Sequence, residues 1–434
     1  MKCPNAQFSA VNKILAAIIC VLQFTLTIGA VAQSFNSIYD FTGIPDGANP
    51  RGNLAADSTG NLYGTTEAGG VFDHGAVFEL SPPVAPGSPW TETILYSFTG
   101  GSDGESPLGG LAIDKHGNLW GTTPYGDACC GTVFKLKAPA SGDQWEFRTI
   151  HTFTGGPSDG SYPVAGVVVD STGNVYGITQ NGGSYTSTCA PFQSGCGTVF
   201  KITGMTDGSF TETILWNFGG SGDGQLPEST PIIDAAGNLY GTTSDGGRPF
   251  FGRGHGTAYM LSPSNGTWAE TILFTFHNRQ SPGRNPLGAL VLDKQGNFWG
   301  TSSEGPEGAP GCGGFGCGTI FRLSPSNGGY IGNPLYVFTN QEDGANPQYG
   351  LLLDGSTSTF YGTVPYSSPS PDCGAIFKVA KPTGQWVYSV LHSFENTDGC
   401  NPKTGLVFDN NGNFYGSTTR GGSAQVGSVF QVTP

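Results

Sequence analysis

The chain has 434 residues, a formal net charge of −14 and 71 glycines, and only 12% of its residues are charged. An acidic surface of this kind disfavours nucleic acid and anionic membranes as partners. Glycine at more than twice its usual ~7% share would suit a disordered chain. Here, however, the glycines recur at fixed places, which points to turns instead.

The first 32 residues read as a signal peptide. Lys2 and Lys13 supply a positive start, Ile14 to Ala32 is almost wholly apolar, and Ala30-Val31-Ala32 is a small-x-small cleavage signal. The expected mature chain therefore runs from 33 to 434 as one domain, secreted or periplasmic, with no membrane contact after cleavage. Cys20 does not suit lipid attachment, because Ile18-Ile19 precedes it. Ser34 to Phe41 follows and resembles the outer strand of the unit described next.

That unit recurs about every 60 residues. Its core reads Tyr63-Gly64-Thr65-Thr66, and again at Trp120, Tyr176, Tyr240, Trp299, Tyr361 and Tyr415. Residues 107 to 153 give the clearest copy. Gly110 to Asp114 is a short apolar strand, and Asp114-Lys115-His116-Gly117-Asn118 is a tight turn. Leu119 to Thr123 is a second strand and Gly131 to Leu136, alternating apolar and polar, a third. Trp145 to Phe153 is the fourth. The turn aspartates Asp57, Asp114, Asp170, Asp234, Asp293, Asp354 and Asp409 read as hairpin chemistry. Four antiparallel strands repeated seven times predict an all-β, seven-bladed propeller. The chain stops just after a third strand, Ser428 to Val432, so the N-terminal strand is expected to complete the last blade and close the ring.

The linked motifs Asn-Leu-Tyr-Gly-Thr-Thr, Gly-Gly and Gly-Thr-Val-Phe-Lys-Leu resemble the GloVer-type tandem-repeat family of exported bacterial proteins. The resemblance covers nearly the whole mature chain. It implies a secreted repeat protein and no particular activity. Members often carry a C-terminal sorting anchor; nothing of that kind follows the last strand, so free secretion or a periplasmic home is expected.

Three patterns offer chemistry. The loop entering each repeat carries Asp-Gly-x-x-Pro, with Asp46, Asp103, Asp159, Asp223, Asp343 and Asp398; the fifth copy has Pro282-Gly283 instead. These carboxylates are expected on the face of the long, variable loops, near the channel mouth, where they are the candidate ligand-binding residues for a glycan or protein. A turn-forming role is the competing reading. The position before the third-strand glycine holds His74, Cys130, Cys196, His255, Cys317 and Cys373, on different repeats and too far apart for one zinc at ~2.0–2.3 Å. No metal site and no cofactor is expected from this pattern. Disulfides fit better: Cys189 with Cys196, Cys312 with Cys317, and Cys373 with Cys400 across two repeats. Adjacent Cys129 and Cys130 are left as a vicinal bond or two free thiols. No catalytic motif stands out. The expected function is a binding scaffold offering its loop face to an extracellular glycan or protein. The alternative is a lyase or hydrolase at the channel mouth, which would show unusual polar residues converging on the axis in one or two blades.

Overall fold

The structure is a computed structural model. It describes residues 33–434 apart from 86, 128, 143, 185–194, 221, 248–253, 278–281, 307, 310–311, 356–357 and 369–371. Seven four-stranded antiparallel blades form a propeller. In the second blade the strands are Ala112–Ile113, Leu119–Thr123, Thr132–Lys137 and Glu146–Thr152, from the axis outwards. The seventh blade is composite. Val407–Phe408, Phe414–Thr418 and Ser428–Thr433 come from the C-terminus, and Ser34–Asp40 adds the outer strand, with Ser34 opposite Thr433 and Asp40 opposite Ser428.

The repeating motif is explained residue by residue. Its turn aspartate accepts backbone hydrogen bonds from residues two and four further on, as Asp114 does from His116 (2.8 Å) and Asn118 (3.0 Å). The motif aromatic donates to the same carboxylate: Trp120 Nε1 lies 3.0 Å from Asp114 Oδ2 and Tyr415 Oη 3.0 Å from Asp409 Oδ2. The ring then packs on the next blade's outer strand, Tyr63 against Trp145, Trp120 against Phe210 and Tyr415 against Trp90. The following residue must be glycine, because a Cβ on Gly121 would collide with the Phe134 ring of the third strand. The first threonine reaches the next inner strand, Thr122 Oγ1 donating to the Ala165 carbonyl at 2.7 Å. In five blades the second forms a buried hydroxyl pair with the third strand, as Thr123 does with Thr132 at 2.8 Å and Thr418 with Ser428 at 2.9 Å, whereas Thr66 of the first blade stands opposite Ala76 and accepts from its N–H.

The sixth blade replaces this hydroxyl pair with Val364 opposite Ala375, both buried. That natural variant sets up a prediction. Thr123→Val alone strips a buried hydroxyl of its partner and is expected to cost about 1–3 kcal/mol. Thr123→Val with Thr132→Ala, which recreates the sixth-blade pair, is expected to cost less than the two single changes added together. Urea unfolding of the three variants checks this double-mutant cycle.

The core lies between blades rather than within one. Phe98 and Val77 of the first blade pack with Leu119, Phe134 and Leu136 of the second. The inner strands are shorter than the sequence suggests: of Gly110 to Asp114 only Ala112–Ile113 pairs as regular strand. The reason is crowding at the axis. A Cβ on Gly109 would strike the Ala165 backbone, and one on Gly110 would lie 2.6 Å from the Asn53 carbonyl oxygen. The inner strands begin by packing on one another, and pair only once they have diverged.

Three disulfides are present among the described residues: Cys129–Cys130, Cys312–Cys317 and Cys373–Cys400. The adjacent cysteines are thus bonded rather than free. Cys189 lies outside the described residues, so its pairing with Cys196 is not described. Structural disulfides mark an oxidising, non-cytoplasmic compartment. No helix among the described residues is long and apolar enough to cross a membrane.

Candidate functional site at the channel mouth

The Asp-Gly-x-x-Pro connections build one face of the ring. Each carries the chain from an outer strand to the next inner strand and is stitched to both blades. Glu105 bridges to Tyr125 of the second blade, and Cys400 to Arg420 of the seventh. The residue before each proline has a positive φ: 56° at Asn49, 52° at Ser106, 63° at Tyr162 and 53° at Asn401. This turns its N–H onto the blade being left, Ser106 N donating to the His74 carbonyl at 2.9 Å and Asn401 N to the Cys373 carbonyl at 2.8 Å. The His/Cys position before the third-strand glycine therefore serves through its carbonyl, and at Cys130, Cys317 and Cys373 also through a disulfide.

The Asp-Gly aspartates sit on this face, further out than the channel mouth. Asp103 accepts from Tyr96 Oη (2.9 Å), Thr99 N (2.8 Å) and Thr99 Oγ1 (2.6 Å). Asp46, with Tyr39 and Thr42, and Asp343, with Tyr336 and Thr339, repeat the arrangement. Asp223 uses Trp216 Nε1 and two backbone N–H groups. Asp398 faces His392 at 2.8 Å, and Asp159 faces His151 at 3.5 Å. Burial pushes the Asp103 carboxyl up, but the bonds from Thr99 and Tyr96 outweigh it and hold the group below the ordinary carboxylate range. At Asp223 burial prevails and the carboxyl is raised. These geometries make the aspartates anchors of the crossover turns. The fifth copy lacks the carboxylate; its Pro282 carbonyl accepts from Ser302 Oγ at 3.1 Å, a main-chain contact comparable to the one Asp398 makes with Ser428 Oγ.

In six repeats the residue immediately after the proline faces the axis. Arg51, Leu108, Val164, Glu228, Leu287 and Gln348 all line a central cavity of about 360 Å³, together with Tyr162, Gln180 and Tyr349. The seventh repeat has Lys403 at this position. The ring is thus apolar in three repeats and polar or charged in the other four. Arg51 Nη1 lies 3.1 Å from Glu67 Oε2. Burial lowers the affinity of Arg51 for its proton, but Tyr349 and Glu67 more than compensate. Burial, then repulsion from Arg51 and Arg420, pushes the Lys403 ammonium down. Across the cavity Glu228 accepts from Ser244 Oγ at 2.7 Å, and burial raises its carboxyl. Aligning the seven repeats shows the charged residues after proline, but not that they meet around one cavity. Of the unusual fourth-repeat stretch Phe250 to His255, residues 250–253 lie outside the described residues; Arg284 of the next repeat pairs with Glu304.

The solved structures that resemble this fold are distant. A protein from Lactobacillus plantarum is 12% identical, over 82% of this chain and 95% of the other, with a TM-score of 0.50. PorZ, a surface component of the type-IX secretion system of Porphyromonas gingivalis, is 13% identical over 90% of this chain and 47% of its own, with a TM-score of 0.49. A carbohydrate-active enzyme of family AA12 from Trichoderma reesei is 17% identical over 93% and 96%, with a TM-score of 0.44. At these identities the likeness concerns the fold alone. No protein of curated function matches the sequence. The Gloeobacter/Verrucomicrobia repeat, in contrast, matches residues 24–190 and 307–434, more than half of the chain. With the same unit repeated through all seven blades, the chain belongs to the Gloeobacter/Verrucomicrobia repeat family.

Proposed function

We propose that this protein is an exported binding propeller that takes an anionic, hydroxyl-rich glycan at its channel mouth. One observation carries the reading. In a chain with 18 Lys and Arg against 32 Asp and Glu, Arg51, Lys403 and Arg420 are coupled at one side of the axis. Glu67, paired with Arg51, offsets only part of their mutual repulsion, and a carboxylate ligand would relieve the rest. Tyr162, Gln180, Gln348 and Tyr349 supply hydroxyl and amide partners around the same cavity. The leader-like first 32 residues and the disulfides support an extracellular or periplasmic setting. Rigid inner strands beneath variable loops are a suitable frame for binding.

Isothermal titration with uronic-acid oligosaccharides, using neutral oligosaccharides of equal length as reference, tests the reading. Binding of the acidic series that weakens about tenfold or more in Arg51→Ala and Lys403→Ala is expected, each lost charge-assisted contact being worth roughly 1.5–3 kcal/mol. Equal binding of the neutral series, or affinity indifferent to both substitutions, would refute it. The hydrolase or lyase reading rests on Glu228, whose raised carboxyl faces the same cavity; release of shorter products in the same mixtures would favour it.

A further inference from the structure

The seven blade seams provide an internal comparison. In each seam three positions converge: an outer-strand residue two before the closing phenylalanine, the crossover aspartate (Pro282 in the fifth copy), and a residue of the next blade's outer strand. In three seams the first and third are stacked rings, Tyr96 on Phe147 at 3.9 Å, Tyr336 on Tyr388 at 4.1 Å and His392 on Phe35 at 3.6 Å between centroids. A stacked ring leaves no third ligand beside the aspartate.

The seam between the second and third blades is different. His151 stands in strand Glu146–Thr152, Asp159 in the crossover and Glu212 in strand Phe210–Asn217. One donor atom from each lies within 4.8 Å of the other two. We propose that this seam binds one divalent transition-metal ion, through His151 Nε2, Asp159 Oδ1 and a Glu212 carboxylate oxygen, with solvent completing the shell.

The geometry suits this role. Asp159 is fixed by Thr154 N (2.7 Å) and Oγ1 (2.9 Å) on Oδ2 and by Gly160 N (2.7 Å) on Oδ1. The His151 ring is held edge-on against Phe153, with centroids 4.7 Å apart. His151 Nε2 is 3.5 Å from Asp159 Oδ1, too long for a strong hydrogen bond. Glu212 Oε1 is shielded from solvent and has no hydrogen-bond partner in the structure; Glu92 and Glu270 Oε1 are alike in two other seams, so the added imidazole of His151 is what sets this seam apart. An unpartnered carboxylate oxygen beside an imidazole and a second carboxylate is a donor set short of an acceptor of electron pairs. Two ligands of one zinc are at most about 4.4 Å apart, twice the bond length, so a small side-chain adjustment closes the cluster on an ion. One imidazole with two carboxylates suits Zn²⁺ or Mn²⁺ better than Ca²⁺, which takes oxygen ligands. The His151 side chain, 23% exposed, gives the entry path. The two other seams that carry a glutamate lack the histidine: Tyr39 stands where His151 does beside Asp46 and Glu92, and Trp216 beside Asp223 and Glu270.

The test uses purified protein without a histidine tag, stripped with chelator and titrated with Mn²⁺ or Zn²⁺ alone. Saturable uptake of one ion per chain is expected, with a raised melting temperature, because the ion ties two blades together. The Mn²⁺ spin-resonance spectrum should show coupling to an imidazole nitrogen. His151→Phe and Glu212→Gln should each weaken binding by at least the roughly 10–100-fold that loss of an orienting partner costs in known sites. His392→Phe should leave it unchanged. Absence of saturable uptake at millimolar ion, binding that survives both substitutions, or equal loss in His392→Phe would overturn the proposal. If a seam variant fails to fold, the nitrogen coupling in the unaltered protein decides.

Discussion

Deleting residues 33–41 is expected to open the ring and to lower the melting temperature more than any single substitution away from the closure. The segment supplies the outer strand of the seventh blade, paired along Ser428–Thr433. Phe41 ends it, fully buried, with its N–H donating to the Gly427 carbonyl at 3.0 Å. Loss of a buried phenylalanine alone costs roughly 3–5 kcal/mol, and the deletion also removes the strand that covers the third-strand edge. That edge becomes a template for pairing with another chain. Differential scanning calorimetry and sedimentation velocity check both parts, with Phe41→Ala as the intermediate case. An unchanged melting temperature would show that the closure resides in the inner contacts, such as Gly405 N to Asn53 Oδ1 at 2.7 Å.

Removing the Cys373–Cys400 bond is the second large effect expected. The cysteines are separated by 27 positions and join the start of the sixth blade's third strand to the connection leaving that blade. Both are buried, at 2% and 9% exposure. In the chain-entropy model a loop of this length contributes about 3–4 kcal/mol, against about 2 kcal/mol for the short Cys312–Cys317 loop. Cys373→Ala with Cys400→Ala should therefore shift the guanidinium midpoint further than the corresponding Cys312/Cys317 pair. Non-reducing peptide mapping of exported protein checks the connectivity. Equal shifts for the two double variants would mean that loop length does not govern the effect here.

What the sequence determined by itself was the blade. The Asp114-to-Asn118 turn, the glycine under Phe134 and the alternation of Thr132–Lys137 all act within one hairpin. Their hydrogen bonds span two to about twenty residues, so their spacing can be read directly. The composite last blade was legible too, because a spare outer strand at one end matches a missing one at the other. The crossover aspartates were visible as a pattern, yet their partners Tyr96 and Thr99, only seven and four residues away, carry the pattern that accounts for them. Tertiary structure alone decided which repeats' side chains meet. Lys403 and Arg51 stand some 350 positions apart and become neighbours only because the ring shuts. Glu212 meets His151 because consecutive blades pack face to face in a set register. Strand pairing is set by local turns and a period of two, whereas contact between blades is set by side-chain packing across the seam, which leaves no fixed spacing in the chain.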